Sequence, residues 1–297
     1  MTTLASLAAS GIVSESVSIG SLTTYRLGGP ARYFVEVTDR STLETVIDAL
    51  DREPILILGR GSNLVISDRG FDGLVMRLAG EFEAIDIEGE RVTAGAAAWL
   101  PALARETVSH GLRGLEFFVG IPGSVGGAIR QNAGGHGSET REWLIEAELV
   151  SLRSGHSRTG GPDDLEMSYR HSSVGPDDLV VSGTFRTVRG DVEEGRDVIA
   201  SIIRWRREHQ PAAVYNAGSV FRNPPNDSAG RIIDSLGLKG FSIGAVRVSE
   251  KHANFFVAGP DATASDLHRL VSEVRARVRA ETGVVLVPEI QFVGDFD

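Results

Sequence analysis

The chain has 297 residues, room for two or three compact units with substantial cores. An apolar fraction of 41%, a charged fraction of 24% and a net charge of −10 describe an ordinary acidic globular protein and argue against whole-surface affinity for nucleic acid or anionic membrane. The absence of cysteine excludes disulfides, thiolate metal sites, iron–sulfur clusters and a cysteine nucleophile, and no metal site is expected.

The first 20 residues read as a poorly defined lead-in, without the basic start or apolar core of a secretion signal. Ala31–Val37 reads as a strand. Ser41 with Glu44 gives a capping-box start to a helix carrying Leu43, Val46, Ile47 and Leu50. Pro54–Leu58, Leu64–Ser67 and Leu74–Leu78 read as strands, and Glu83–Ile87 with Arg91–Ala94 as a hairpin turning at Gly89. A helix is predicted over Ala98–Ser109, with Pro101 in its first turn and Gly111 after it. After the glycine-rich stretch Gly120–Gly137, strands are expected at Ile145–Leu152 and Leu179–Val188. A helix running to about Glu208 follows, with Val198, Ile199, Ile202 and Ile203 on one face.

His209-Gln210-Pro211 marks a boundary, because proline disfavours helix at the preceding residue. Beyond it, Ser228 caps a helix with Ile232, Ile233 and Leu236 that closes at Gly237. Phe241–Val248 and Asn254–Ala258 read as strands. Leu267, Leu270, Val271, Val274 and Val278 form a 3.6-residue stripe ended by Gly283, and Val284–Val293 reads as a final strand. The class is α+β. The expected division is 1–80, 81–208 and 209–297, with the last strand able to pack back on the preceding part. No run nears the ~18 apolar residues of a membrane span, and a soluble cytoplasmic protein is expected.

Glycine supplies 35 of the 297 residues, against a usual ~7%. Two clusters stand out. Gly59-Arg60-Gly61-Ser62-Asn63-Leu64 follows a strand, but Leu64 replaces the third glycine of a dinucleotide fingerprint and strand, not helix, comes next. It reads either as a nest of backbone N–H groups for a pyrophosphate or as a tight turn. Gly120-Ile121-Pro122-Gly123-Ser124-Val125-Gly126-Gly127-Ala128 runs on to Asn132-Ala133-Gly134, and lacks the Gly-Lys-Ser/Thr of a Walker loop. Glycine is entropically expensive to order, so such a concentration points to backbone approaching a large ligand.

Joined, these loops resemble the FAD domain of the vanillyl-alcohol-oxidase type. Thr23-Thr24-Tyr25-Arg26-Leu27-Gly28-Gly29-Pro30-Ala31 and Gln131-Asn132-Ala133-Gly134 are similar to its enolpyruvoylglucosamine reductase branch. So are Tyr169-Arg170-His171-Ser172, Gly218-Ser219-Val220-Phe221-Arg222-Asn223-Pro224, the stretch Val248–Phe255 and Pro288-Glu289-Ile290. The resemblance covers about residues 20–294 and fits the compact type, with no extra tyrosine-bearing loop between Arg170 and Ser219. It implies a two-subdomain FAD-binding fold followed by a substrate domain.

It also implies noncovalent FAD, held by Gly59, Arg60, Gly61, Ser62, Asn63, Leu64, Gly120, Ile121, Pro122, Gly123, Ser124, Gly126, Gly127, Ala128, Asn132, Ala133, Gly134 and Gly137. NADPH would reduce the flavin, which would pass hydride to UDP-N-acetylglucosamine enolpyruvate in peptidoglycan precursor synthesis. By position Ser219 resembles the proton donor, and Arg170 and Glu289 the pair that polarises the substrate carboxylate. Tyr169, Arg222, Asn223 and His252 resemble substrate-binding positions, with Lys239 a further candidate. Arg222 suits a diphosphate through its bidentate fork. Arg130 stands where many members are apolar. The same FAD fold also serves oxidases of hydroxy acids or sugar alcohols, and a non-catalytic flavin-binding protein would keep the glycine loops without Arg170, Ser219 and Glu289.

Overall fold

A computed structural model describes residues 2–212 and 215–296. The chain divides into two compact units. Unit 1 comprises Met1–Glu15, Tyr33–Gly59 and Gly73–Arg206; unit 2 comprises Ser16–Arg32, Arg60–Asp72 and Arg207–Asp297.

Unit 1 is built on an antiparallel sheet of five strands in the order Ser157–Gly160, Leu144–Ser151, Asp178–Arg186, Arg91–Gly95, Ile85–Glu88. The hairpin between the last two turns through Gly89, whose φ of +66° suits the first central position of a two-residue loop. The short helix Val125–Gln131 lies on Asp178–Arg186, where Gly183 leaves room for Ile129: a Cβ there would come within 2.6 Å of Ile129 Cδ1. Ile55–Ile57 pairs in parallel with Leu74–Met76. The core gathers Val35, Val46, Leu74, Leu103, Phe118, Leu149 and Phe185, each buried apolar side chain contributing about 1.5–3 kcal/mol.

Unit 2 has a three-stranded antiparallel sheet, Ser242–Ile243, Val246–Val248 and Phe256–Ala258, with the helices Ala229–Ser235 and Ala264–Thr282, and a parallel pair, Leu64–Ile66 with Gln291–Val293. The long helix buries the predicted stripe from Leu267 to Val278, is capped by Thr263 and stops at Gly283. Tyr25 is fully buried and donates its hydroxyl to the Phe256 carbonyl at 3.1 Å; burial pushes its pKa upward.

Several local expectations are corrected. The N-terminal lead-in is ordered: Thr3 and Ser6 form a capping box on the helix Leu4–Ala9, and Leu4 and Leu7 enter the core. The helix expected from Ser41 starts at Arg40, because Asp39 accepts from the Thr42 N–H at 2.8 Å. In the helix Val192–His209 only Gly195, Ile199 and Ile202 are buried, whereas Val198 and Ile203 are exposed. Phe241–Val248 is a hairpin broken at Gly244, whose φ is +56°. Of Val284–Val293 only Gln291–Val293 is regular strand, and Pro288 makes a single antiparallel bridge to Phe221.

Candidate functional site

Protein contacts order both glycine clusters. In unit 1 a Cβ on Gly59 would lie 2.7 Å from Ser124 Oγ, so the first cluster begins against the second. In unit 2 Gly61, at φ +61°, passes so close to Thr23 that a Cβ would fall 2.6 Å from its Cα, and Thr24 N–H donates to the Gly61 carbonyl at 3.1 Å. The Thr23-Thr24-Tyr25 motif thus clasps the first loop and anchors it through buried Tyr25.

Within the second cluster Ser124 is the N-cap and Val125–Gln131 is helical. Val125 and Gly126 donate to the carbonyls of Ala98 and Ala96 at 3.1 and 2.9 Å. A Cβ on Gly126 would sit 3.0 Å from Ala96 Cβ, one on Gly120 3.0 Å from the His136 ring, and one on Gly134 2.7 Å from Glu139 Cβ. Each of these glycines is closely approached by its own protein, Gly134 the most tightly. Gly127 is different. It is exposed on the first helical turn, and its nearest neighbour would be Ser124 Oγ at 3.6 Å. Glycine inside a helix costs about 1 kcal/mol relative to alanine, and no internal contact demands it here. A backbone left bare beside Gly59 and Ser124 fits the approach of a large cofactor such as FAD.

The Tyr169-Arg170 pair sits at the tip of a tight turn in unit 1. Ser168 and His171 exchange two backbone hydrogen bonds of 3.0 Å, and Arg170 adopts φ +54°. The turn is held from the second glycine cluster. Fully buried Asn132 donates to the Ser168 carbonyl at 2.8 Å and accepts from the Arg141 N–H at 2.9 Å, while Arg141 donates to the Met167 carbonyl at 2.8 Å. The Arg170 guanidinium donates to the Gly134 carbonyl at 2.7 Å and lies over the Tyr169 ring at 5.0 Å. The Asn132 carboxamide is thus committed at both ends to protein groups. Arg130 is half-buried, and burial lowers its pKa against the opposing pull of Asp178.

In unit 2 the segment Ser219–Arg222 runs between two others. Ser219 bridges Phe255 and Phe221 bridges Pro288, both antiparallel. Val220 N–H donates to Asn254 O at 2.8 Å, Arg222 N–H to Val287 O at 2.9 Å, and Glu289 N–H to Val220 O at 2.7 Å. Ser219 and Glu289 therefore occupy neighbouring segments in a fixed register. Gly218, at φ +75°, lets the chain enter this arrangement, its N–H taken by Asn216 Oδ1 at 3.1 Å. Arg222 Nε is buried without a hydrogen-bond partner. A buried guanidinium donor left unsatisfied is costly and calls for an anionic or carbonyl partner.

The remaining candidates divide. His252 packs edge-on against Phe255 at 4.8 Å and accepts from the Asn254 N–H through Nδ1 at 3.2 Å. Its pKa is lowered, first by burial and then by the Lys239 charge, so the ring is neutral near pH 7 with its proton on Nε2. Lys239 is paired with Asp234 at 2.7 Å. Asn223 Oδ1 accepts from the Ala229 N–H at 3.0 Å and so steadies the start of a helix. Arg170 and Tyr169 belong to unit 1, and Ser219, Arg222, Glu289 and His252 to unit 2. Sequence reasoning missed Asn254 and Arg141. The signal for Asn254 was a lone carboxamide inside His252-Ala253-Asn254-Phe255-Phe256, a run apolar enough to be buried and therefore in need of partners.

The family model for the C-terminal domain of UDP-N-acetylenolpyruvoylglucosamine reductase matches residues 210–293, and that for an FAD binding domain matches residues 31–160. The chain is 40% identical over 278 residues to the UDP-N-acetylenolpyruvoylglucosamine reductase of Nitrobacter hamburgensis, covering 93% of this chain and 91% of that protein. With the enzyme of the same description from Paramagnetospirillum magneticum it shares 39% over 285 residues, covering 96% and 92%. The crystal structure of UDP-N-acetylenolpyruvylglucosamine reductase from Thermus caldophilus is similar with a TM-score of 0.83 at 35% identity, over 94% of this chain and 98% of that one.

Proposed function

The chain belongs to the UDP-N-acetylenolpyruvoylglucosamine reductase family and is an FAD-dependent oxidoreductase, and we propose that it reduces UDP-N-acetylglucosamine enolpyruvate to UDP-N-acetylmuramate with NADPH, in peptidoglycan precursor synthesis. FAD held by the glycine loops would supply the hydride chemistry, taking hydride from NADPH and giving it to the methylene carbon of the enolpyruvyl group. The chain's own residues bind, orient and protonate. The two glycine clusters offer backbone to the cofactor, with Gly127 as the bare position. Arg170 and Glu289 hold and polarise the substrate carboxylate while negative charge builds on the adjacent carbon. Ser219 gives its hydroxyl proton to that carbon, so that one hydride and one proton are added across the double bond.

Arg222 binds the diphosphate, which supplies the partner its buried Nε lacks. Tyr169 and His252 line the substrate; neutral His252 offers an Nε2 donor. Lys239 and Asn223, committed to Asp234 and Ala229, act through those partners. We read 1–80 and 81–208 as two FAD-binding subdomains and 209–297 as the substrate domain, a reading supported by the family matches at 31–160 and 210–293. No described helix is long and apolar enough to cross a membrane, and we place the reaction in the cytoplasm, where nucleotide-linked precursors and NADPH are made.

The observation that carries this reading is the register in unit 2, with Ser219 and Glu289 on hydrogen-bonded neighbouring segments and the unpartnered Arg222 Nε three residues on. The test is anaerobic. Holoenzyme reduced with NADPH is mixed with UDP-N-acetylglucosamine enolpyruvate, and the flavin absorbance is followed. Reoxidation with formation of UDP-N-acetylmuramate is expected. Failure to reoxidise, together with fast reaction with oxygen and reduction by a hydroxy acid or sugar alcohol, would assign the protein to the oxidases instead.

A further inference from the structure

Residues 64–66 and 291–293 form a parallel ladder in which Leu64 faces Gln291. Carried one step back, the ladder sets Asn63 opposite Ile290. In that register the Asn63 carbonyl faces the Gln291 N–H, and the Asn63 N–H would face the Glu289 carbonyl. The first bond is present at 2.9 Å. The second is made by the side chain: Asn63 Nδ2 donates to the Glu289 carbonyl at 2.8 Å. A side-chain amide thus joins this ladder where the chain is turning out of Gly61, at φ +61°.

Glu289 is thereby gripped on both sides. Its N–H is held by the carbonyl of Val220, next to Ser219, at 2.7 Å, and its carbonyl is held by Asn63. Because Asn63 also belongs to the first glycine cluster, one residue ties that loop to the segment bearing the carboxylate. We infer that Asn63 is a positioning residue for Glu289, setting the register of that carboxylate against Ser219; this rests on the role given to Glu289 above. A displacement of about 1 Å in reacting groups costs on the order of 10²-fold in rate. Aspartate at position 63 would set oxygen against the Glu289 carbonyl, and alanine would leave that carbonyl without its donor.

The test uses reconstituted holoenzyme of the parent, Asn63→Ala, Glu289→Gln and the double variant. Asn63→Ala removes the side chain committed to Glu289 but keeps the backbone that the cluster would offer to FAD, so its anaerobic reoxidation by UDP-N-acetylglucosamine enolpyruvate should slow by about tenfold or more beyond any slowing of its reduction by NADPH. Added to Glu289→Gln, it should slow reoxidation by no more than about threefold further, because residues acting as one unit are not additive. Equal slowing of both half-reactions with weakened FAD binding would make Asn63 a cofactor contact and overturn the inference. So would reoxidation at the parent rate, or full additivity with Glu289→Gln. If the parent itself is not reoxidised by this substrate, the proposed function fails, which is a separate outcome.

Discussion

The carboxamide of Asn254 pairs with both backbone groups of Phe221, accepting from its N–H at 2.9 Å and donating to its carbonyl at 2.8 Å. Asn254 is 2% exposed, so water cannot replace either bond. Phe221 lies between Ser219 and Arg222, and this pairing fixes the path of both. Asn254→Ala should destabilise the protein by about 1–3 kcal/mol for each group left unsatisfied. It should also raise the substrate KM and lower kcat together. Thermal unfolding of the holoenzyme, run beside steady-state kinetics, checks this; an unchanged melting temperature would count against it.

Gly126 and Gly127 should respond differently. Alanine at 126 meets Ala96 Cβ at 3.0 Å, so it should gain less stability in the apoprotein than alanine at 127 does. Alanine at 127 has its nearest neighbour at 3.6 Å and should be neutral or stabilising by up to about 1 kcal/mol in the apoprotein. If bare backbone at 127 is where FAD approaches, Gly127→Ala should weaken FAD binding by about tenfold or more. Titration of apoprotein with FAD, read by flavin fluorescence, decides it. Equal FAD affinity in Gly127→Ala and parent would remove Gly127 from the cofactor site.

Ser219→Ala should slow flavin reoxidation by the enolpyruvyl substrate by about 10²–10⁴-fold, the usual contribution of a positioned general acid. Reduction by NADPH should stay near the parent rate, since that step needs no proton on the substrate carbon. Ser219→Cys should retain more activity than alanine, because a thiol can also donate. Rapid mixing of prereduced enzyme separates the two halves. A rate for the alanine variant within about threefold of parent would shift the role to a bound water or to the Nε2 proton of His252.

Arg222→Met should raise the substrate KM by about tenfold or more, through loss of a charge-assisted contact to the diphosphate. Without ligand the same variant should be at least as stable as the parent, because it removes the buried Nε that lacks a partner. Arg222→Lys should recover charge but not the two-pronged geometry, and so only part of the KM. A less stable apoprotein with unchanged KM would mean that Arg222 serves the fold alone.

His252 titrates below its ordinary value, owing to burial and then to Lys239. Between that lowered value and about 6.5 the unfolded chain binds the proton more readily than the native one. Stability therefore falls as pH drops below about 6.5, until the native ring is itself protonated. His136 is shifted the same way, by burial and then by Arg206. His252→Gln should flatten part of this acid limb and leave the part due to His136. Denaturant midpoints measured from pH 5 to pH 8 check the sign; a limb of unchanged slope would show that the His252 proton is not coupled to folding.

The stripe from Leu267 to Val278, the capped start at Ser228 and the stop at Gly283 were legible because a helix repeats every 3.6 residues and its caps use few residue types. The two glycine clusters were legible as places of close approach. What approaches was not, since Gly126 and Gly61 are explained by Ala96 and Thr23, far away in sequence, while Gly127 is explained by neither. The hairpin inside Phe241–Val248 was hidden because an apolar run does not reveal where it reverses.

The candidate site shows the same limit. Composition and motif chemistry by themselves determined the class, the exclusion of a cysteinyl–flavin bond in a cysteine-free chain, and the residue types able to hold an anion or pass a proton. Only the tertiary structure decided that Asn132 serves the Tyr169-Arg170 turn, that Asn254 serves Phe221 and that Asn63 serves Glu289. A side-chain amide carries a donor and an acceptor that suit a ligand or a peptide equally well. Which of the two it meets depends on backbone brought alongside from 36, 33 and 226 residues away, and no local pattern records that.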